Sequence, residues 1–158
     1  QFYSETQTDL KEALRRITRT IRHGGWGGVG VVMGSSVTNF AGVANSTASQ
    51  IIVSVPQPNA SGSDQVRIYV DGSGNVYAQR NDSVGAGILM LAGPSSTIAF
   101  RYWQTSVSST GNIYTELVPP GTSPAPTTEV QITLTAKRGS VTTTSVAYVT
   151  LRNTVIGF

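Results

Sequence analysis

The first twenty-three residues carry a helical period, and nearly everything after them carries a two-residue one. Leu10, Leu14, Ile17 and Ile21 recur at spacings of four, three and four, Ala13 falls on the same side, and Tyr3 stands one heptad before Leu10. That spacing predicts an amphipathic α-helix over residues 3–23 with a single apolar stripe. Glu5, Asp9, Lys11, Glu12, Arg15, Arg16, Arg19 and Arg22 fill the rest of its surface, and Gly24-Gly25 end it. Two starts are open. Ser4-x-x-Gln7 matches a capping box; alternatively the helix enters from before Gln1, the reading favoured by Phe2 and Tyr3, which continue the apolar side. Glu12 stands three and four residues before Arg15 and Arg16, the spacing of helix-supporting ion pairs. Such pairs are weak, so the apolar stripe must hold the helix. Leu10, Leu14, Ile17 and Ile21 are therefore the expected helix-to-sheet packing residues.

Beyond the glycines, β-rich or alternating runs mark residues 50–55, 65–70, 75–80, 88–91, 97–105, 112–118, 129–137 and 141–152, with 29–33 as a shorter candidate. That is about eight strands. Ile98, Phe100 and Tyr102 alternate with Ala99, Arg101 and Trp103. Val130, Ile132, Leu134 and Ala136 share one side of their strand, and Ala147, Val149 and Leu151 share one side of the last. DGSGN joins the clearest hairpin, SVSSTGN a second, and Arg138-Gly139-Ser140 a third. Phe40 and Val43 should pin the polar loop 34–49 to the core, and Trp26 should fold beneath the helix end. The Pro-rich run from Pro119 reads as a surface excursion. Strands that follow one another as hairpins predict an α+β fold: one long N-terminal amphipathic helix packed on antiparallel sheet, in one sheet or two. Residues 1–158 read as a single domain, with 1–23 the helix and 24–158 a β-rich head.

Composition narrows the chemistry. At 158 residues and 39% hydrophobic content the chain can bury a core. Charged residues make up only 12%, against about 25% in an average soluble protein, a surface common among exported proteins and filament subunits. Without cysteine, disulfides, thiol catalysis and Cys-based zinc sites are excluded. The longest apolar run, residues 88–92, is far shorter than the ~20 residues of a membrane span. The first residue is Gln rather than Met, so the chain reads as a processed or truncated product. Of its net charge of +3, most lies on the helix, where five basic residues face three acidic ones. Arg19 and Arg22 complement the negative helix C-terminus. Weak binding to DNA or anionic lipid is the alternative reading of that excess.

Candidate reactive groups are few. His23 is the sole histidine, which supplies neither a metal cluster nor a triad. GGWGGVG follows a helix and precedes a strand, the reverse of a phosphate loop. Asp71, Ser73 and Asn75 faintly resemble a calcium loop, but no glutamate stands at the closing position, and a hairpin turn explains them better. Glu116 and Glu129 fall on strands expected to be adjacent, with no basis for a glycosidase pair. Tyr69, Tyr77, Phe100, Tyr102, Trp103 and Tyr114 interleave with Arg67, Arg80 and Arg101. Strand propensity favours core packing for these rings; a sheet face that binds single-stranded nucleic acid or glycans is the alternative. No catalytic residue, cofactor, metal or small-molecule substrate is expected.

The two ends of the chain carry a resemblance. TDLKEALRRITRTIRHGG runs from Leu14-Arg15-Arg16 into Gly24-Gly25, and the last strand closes as SVAYVTLRN, with Leu151-Arg152-Asn153. This resembles type IV pilin-like proteins, specifically minor pilins of the PilW class and the related J-type minor pseudopilins of type II secretion. The likeness covers both ends, and the middle only as a fold pattern. The family's cleaved leader, and the apolar helix with a glutamate near its start, do not occur in these 158 residues. The resemblance implies a non-enzymatic subunit anchored in the inner membrane by a missing N-terminal helix. Its head would be periplasmic or on a cell-surface pilus, and its partners would be other minor and major pilin or pseudopilin subunits. Arg15, Arg16, Arg19 and Arg22 then become the candidate subunit interface.

Overall fold

Helix α1 (Phe2–Arg22) opens the chain, and strands β1 (Ile51–Pro56), β2 (Ser63–Val70), β3 (Val76–Arg80), β4 (Ile88–Leu91), β5 (Thr97–Ser108), β6 (Gly111–Leu117), β7 (Glu129–Arg138) and β8 (Val141–Thr150) follow. The fold is that of a computed structural model, which describes residues 2–23, 31, 40, 45–56, 63–81, 85, 87–93, 95–117 and 127–151. Val43, Trp26 with its glycines, the Pro-rich run to residue 126 and Arg152-Asn153 lie outside the described residues.

The strands form two antiparallel sheets, ordered β1-β2-β3-β4 and β6-β5-β7-β8. This answers the question of one sheet or two and bears out the α+β class. An isolated antiparallel bridge from Val31 to Val53 gives the first sheet a fifth member, so the β-structure among the described residues has nine members rather than about eight. The three tight hairpins lie where turn chemistry placed them, pairing β2 with β3, β5 with β6 and β7 with β8. Strand order departs from sequence order once: β7 returns to the far side of β5, pairing Phe100 with Ile132 and Trp103 with Glu129.

Helix α1 is about 31 Å long at 1.5 Å per residue and rests mainly on β8 and β7, with its flank against β4. It runs through Ser4 from Phe2, so Ser4 is a helical residue rather than an N-cap. Leu10, Ala13, Leu14, Ile17 and Ile21 are buried in one cluster with Ile98, Phe100, Val130, Ile132, Leu134 and Val149 of the second sheet and Val53, Ile68 and Val76 of the first. A leucine or isoleucine so buried contributes about 1.5–3 kcal/mol, which outweighs any surface pair on the helix. Both sheets and the helix thus share one core.

A polar joint ties the sheets together at the edge of β5. Tyr102 is fully buried, and its hydroxyl is directed at the carbonyls of Thr47, 2.6 Å away, and Gln50, 3.0 Å away. The Phe100 amide donates to the Ala48 carbonyl at 2.8 Å. Residues 45–50 lead into β1, so this short segment stitches the first sheet to the second. Burial pushes the Tyr102 phenol well above its ordinary range, against a smaller opposing effect of its contact with Ser46. On the outer side of β1, Phe40 covers Ile52 in a small separate cluster, and the buried Ser46 hydroxyl accepts from the Ile52 amide at 2.9 Å.

The DGSGN turn is held by its own aspartate. Asp71 Oδ1 accepts from the amides of Ser73 and Asn75, each at 2.9 Å, and Oδ2 accepts from the Asn75 side chain. These bonds, the Asn75 amide first, hold the Asp71 carboxyl below its usual range. Gly74, at φ +78°, brings the turn against the segment before β5, where its carbonyl accepts from the Ser96 amide. Among the described residues no three His, Cys, Asp or Glu side chains converge to hold a metal.

Candidate functional site

The helix presents its polar face outward. Glu12 takes Arg15 rather than Arg16: Arg15 Nη2 lies 2.7 Å from Oε1 and Nε 3.1 Å from Oε2. The pair lowers the Glu12 carboxyl and raises the Arg15 guanidinium, in each case chiefly through the hydrogen bond itself. Both side chains are solvent-exposed, so the pair shapes the surface more than it stabilises it. Arg19 and Arg22 are exposed, Arg16 is half-buried, and none of the three forms an ion pair with a described residue. The four arginines of the candidate interface therefore differ: Arg15 is compensated on its own helix, and Arg19 and Arg22 are not. Arg19, Thr20 and His23 also line a pocket of about 380 Å³ with Val55, Val66 and Arg80 at the helix C-terminal end. Arg80 is engaged by the buried Asp64 at 2.7 Å.

The aromatic side chains divide differently from the core-packing expectation. Phe100 and Tyr102 are buried, as the alternation of β5 requires. Tyr69, Tyr77, Trp103 and Tyr114 are not core residues. On the first sheet, Tyr69 and Tyr77 stand opposite each other across β2 and β3, stacked at 6.0 Å. The Arg67 guanidinium lies 3.8 Å over Tyr69, and its Nε donates to Gln50 at 3.0 Å. Burial lowers the Arg67 pKa and raises that of Tyr69.

On the second sheet, Trp103, Tyr114, Glu129 and Tyr148 line a groove of about 300 Å³. Tyr114 and Tyr148 are 60% and 61% exposed. Glu116 and Glu129 do not sit on neighbouring strands, because β5 separates β6 from β7, and both are paired with Trp103 in register, one on each side. Arg101 grips Glu116 with two bonds of 2.9 and 2.7 Å, which lowers the Glu116 carboxyl, and lies 4.9 Å over the Trp103 ring. Gln131 donates to the Tyr148 hydroxyl at 3.1 Å. Tyr148 is not among the aromatic residues that interleave with arginines along the sequence. The signal is present, since a strand that turns Ala147 and Val149 toward the core must turn Tyr148 to the opposite face.

Comparisons of the chain with protein-family models, curated proteins and solved structures find no match. No described helix is long and apolar enough to cross a membrane.

Proposed function

We propose that the chain is a non-enzymatic minor pilin or pseudopilin subunit, one that primes or caps assembly of a type IV pilus or a type II secretion pseudopilus. The observation that carries this reading is the division of labour on α1. One stripe, Leu10 to Ile21, is consumed by the subunit's own core, while the opposite face offers a neighbour Arg19 and Arg22, which form no ion pair among the described residues. The motifs at Leu14-Arg15-Arg16 and Leu151-Arg152-Asn153 support it. On this reading α1 is the lower half of a longer helix whose apolar upstream half anchors the subunit in the inner membrane and packs among other pilin subunits. The head is then periplasmic, or displayed on the cell-surface pilus. The codons preceding Gln1 test the proposal: they should encode a short charged leader and then ~20 apolar residues. A start codon immediately before Gln1, with no apolar segment, sinks it.

A second reading, a tip module that binds DNA, is favoured by one observation: the stacked Tyr69–Tyr77 pair with Arg67 beside it is a platform of the kind on which bases stack. Its affinity for single-stranded DNA should fall steeply with salt. Absence of any gel shift at low salt removes it.

A further inference from the structure

We propose that the groove of Trp103, Tyr114, Glu129 and Tyr148 on the outer face of the second sheet binds a small quaternary ammonium compound. Each of the four strands of that sheet contributes one of these side chains: β5 the tryptophan, β6 and β8 the tyrosines, β7 the carboxylate. The site is separate from α1 and does not depend on filament assembly.

Three physical properties converge on this ligand class. The first is exposed aromatic surface. Two tyrosines more than half exposed beside a half-buried tryptophan do little for the core and present aromatic surface to the groove. The second is preorganisation. Trp103 is flanked by Arg101, which is itself fixed by two bonds to Glu116, and the Tyr148 hydroxyl is fixed by Gln131. Rings already held in place lose little freedom on binding. The third is charge. Arg101 is neutralised by Glu116, and Glu129 makes no ion pair among the described residues. The described residues of the groove therefore carry one uncompensated negative charge, although the chain as a whole is at +3. That sign repels phosphate and attracts a cation.

Ring faces and a carboxylate together select among cations. The negative face of an aromatic ring favours weakly hydrated, alkylated ammonium groups. A hard metal ion would need several oxygen ligands, and among the described residues no such cluster forms. The groove volume, about 300 Å³, is at the lower limit of small-ligand pockets, which suits one compact headgroup.

The test is titration of the intact chain with choline, followed through the Trp103 indole N–H resonance. Its neutral carbon isostere, 3,3-dimethylbutanol, and a neutral oligosaccharide serve as parallel ligands. Choline should give saturable shifts, with the isostere about two- to fivefold weaker, the weight of one exposed cation–π contact. Glu129→Gln and Tyr148→Ala, both at outward positions, should each weaken choline by a similar factor while circular dichroism stays that of the parent. Equal binding of choline and isostere, no effect of Glu129→Gln, or saturable binding of the oligosaccharide without choline overturns the proposal, as does the absence of any choline response.

Discussion

Replacing Tyr102 by Phe removes one oxygen from the joint between the sheets and should reveal how much that joint contributes. The ring is fully buried and stays in place, so no cavity forms. What is lost is the hydroxyl contact with the Thr47 and Gln50 carbonyls. The Gln50 carbonyl keeps the Thr47 amide as a partner at 2.9 Å, so the Thr47 carbonyl bears most of the loss. One net hydrogen bond plus a partly desolvated carbonyl is worth about 1–2 kcal/mol. In a chain of this size each kcal/mol lowers the melting temperature by about 2–4 °C. Urea denaturation measures the free energy, and hydrogen exchange at the Phe100 amide, bonded to Ala48 in the same joint, reports where it acts. A second readout comes from pH. The phenol of Tyr102 is raised above its unfolded value of 10.0 by burial, so its contribution is complete below pH 10.0 and declines as pH climbs from there toward the folded value, because the unfolded chain releases the proton first. The slope of one such group is about 1.4 kcal/mol per pH unit. Tyr102→Phe should flatten the alkaline limb. Unchanged stability at pH 7 together with an unchanged alkaline limb would show that Tyr102 does not join the sheets.

Ile17→Ala should cost about 2–5 kcal/mol by opening a core cavity, whereas Arg19→Glu combined with Arg22→Glu should cost less, about 1–2 kcal/mol from reversed charge at the helix C-terminus, leave the chain folded, and impair assembly in a filament-forming strain. Unfolding of the arginine variant, or normal filaments, would mean that the two helix faces are misassigned. Gly74→Ala should cost about 1–3 kcal/mol in urea denaturation, since a side chain at φ +78° is strained and would meet the Ser95 backbone; Gly139→Asn, at φ +60° in open space, should be tolerated. The carboxyl of Asp71 should titrate below its ordinary value of 3.8 in carbon-detected NMR. Its depressed value places its contribution above the unfolded pKa, to be lost as pH falls through the folded one, and a midpoint at or above 3.8 would contradict the turn geometry.

Most of the core was legible because alternation within a strand depends only on the backbone. The sequence phases of Ile98-Phe100-Tyr102 and of Val130-Ile132-Leu134-Ala136 are the phases found buried. The same parity assigns Tyr69 opposite Val66 and Ile68, and Trp103 opposite Phe100 and Tyr102. Strand propensity favours the core for those rings, yet parity places them outside. Strand order was not legible. Nothing in the Pro-rich run before Thr127 tells β7 to pass β6 and pair with β5, and that choice is what seats Glu116 and Glu129 on either side of Trp103. The aromatic groove is a product of topology, invisible to any window along the chain.

The charge of the whole chain misdescribes both of its faces. At +3 it suggests a partner such as nucleic acid, but the excess resides on α1, where Arg15 is already answered by Glu12. The groove on the outer face of the second sheet has the opposite sign locally, since Arg101 is answered by Glu116 and Glu129 makes no ion pair among the described residues. These two surfaces stand on opposite sides of one sheet: α1 packs against the inner faces of β7 and β8, and the groove opens on their outer side. A sheet and the element packed on it are about 10 Å apart, so a neighbour docked along the helix would leave the groove uncovered. If α1 lies toward a filament axis, the aromatic face must point away from it. An assembly defect from Arg19→Glu and a binding defect from Glu129→Gln should therefore be separable in the same molecule.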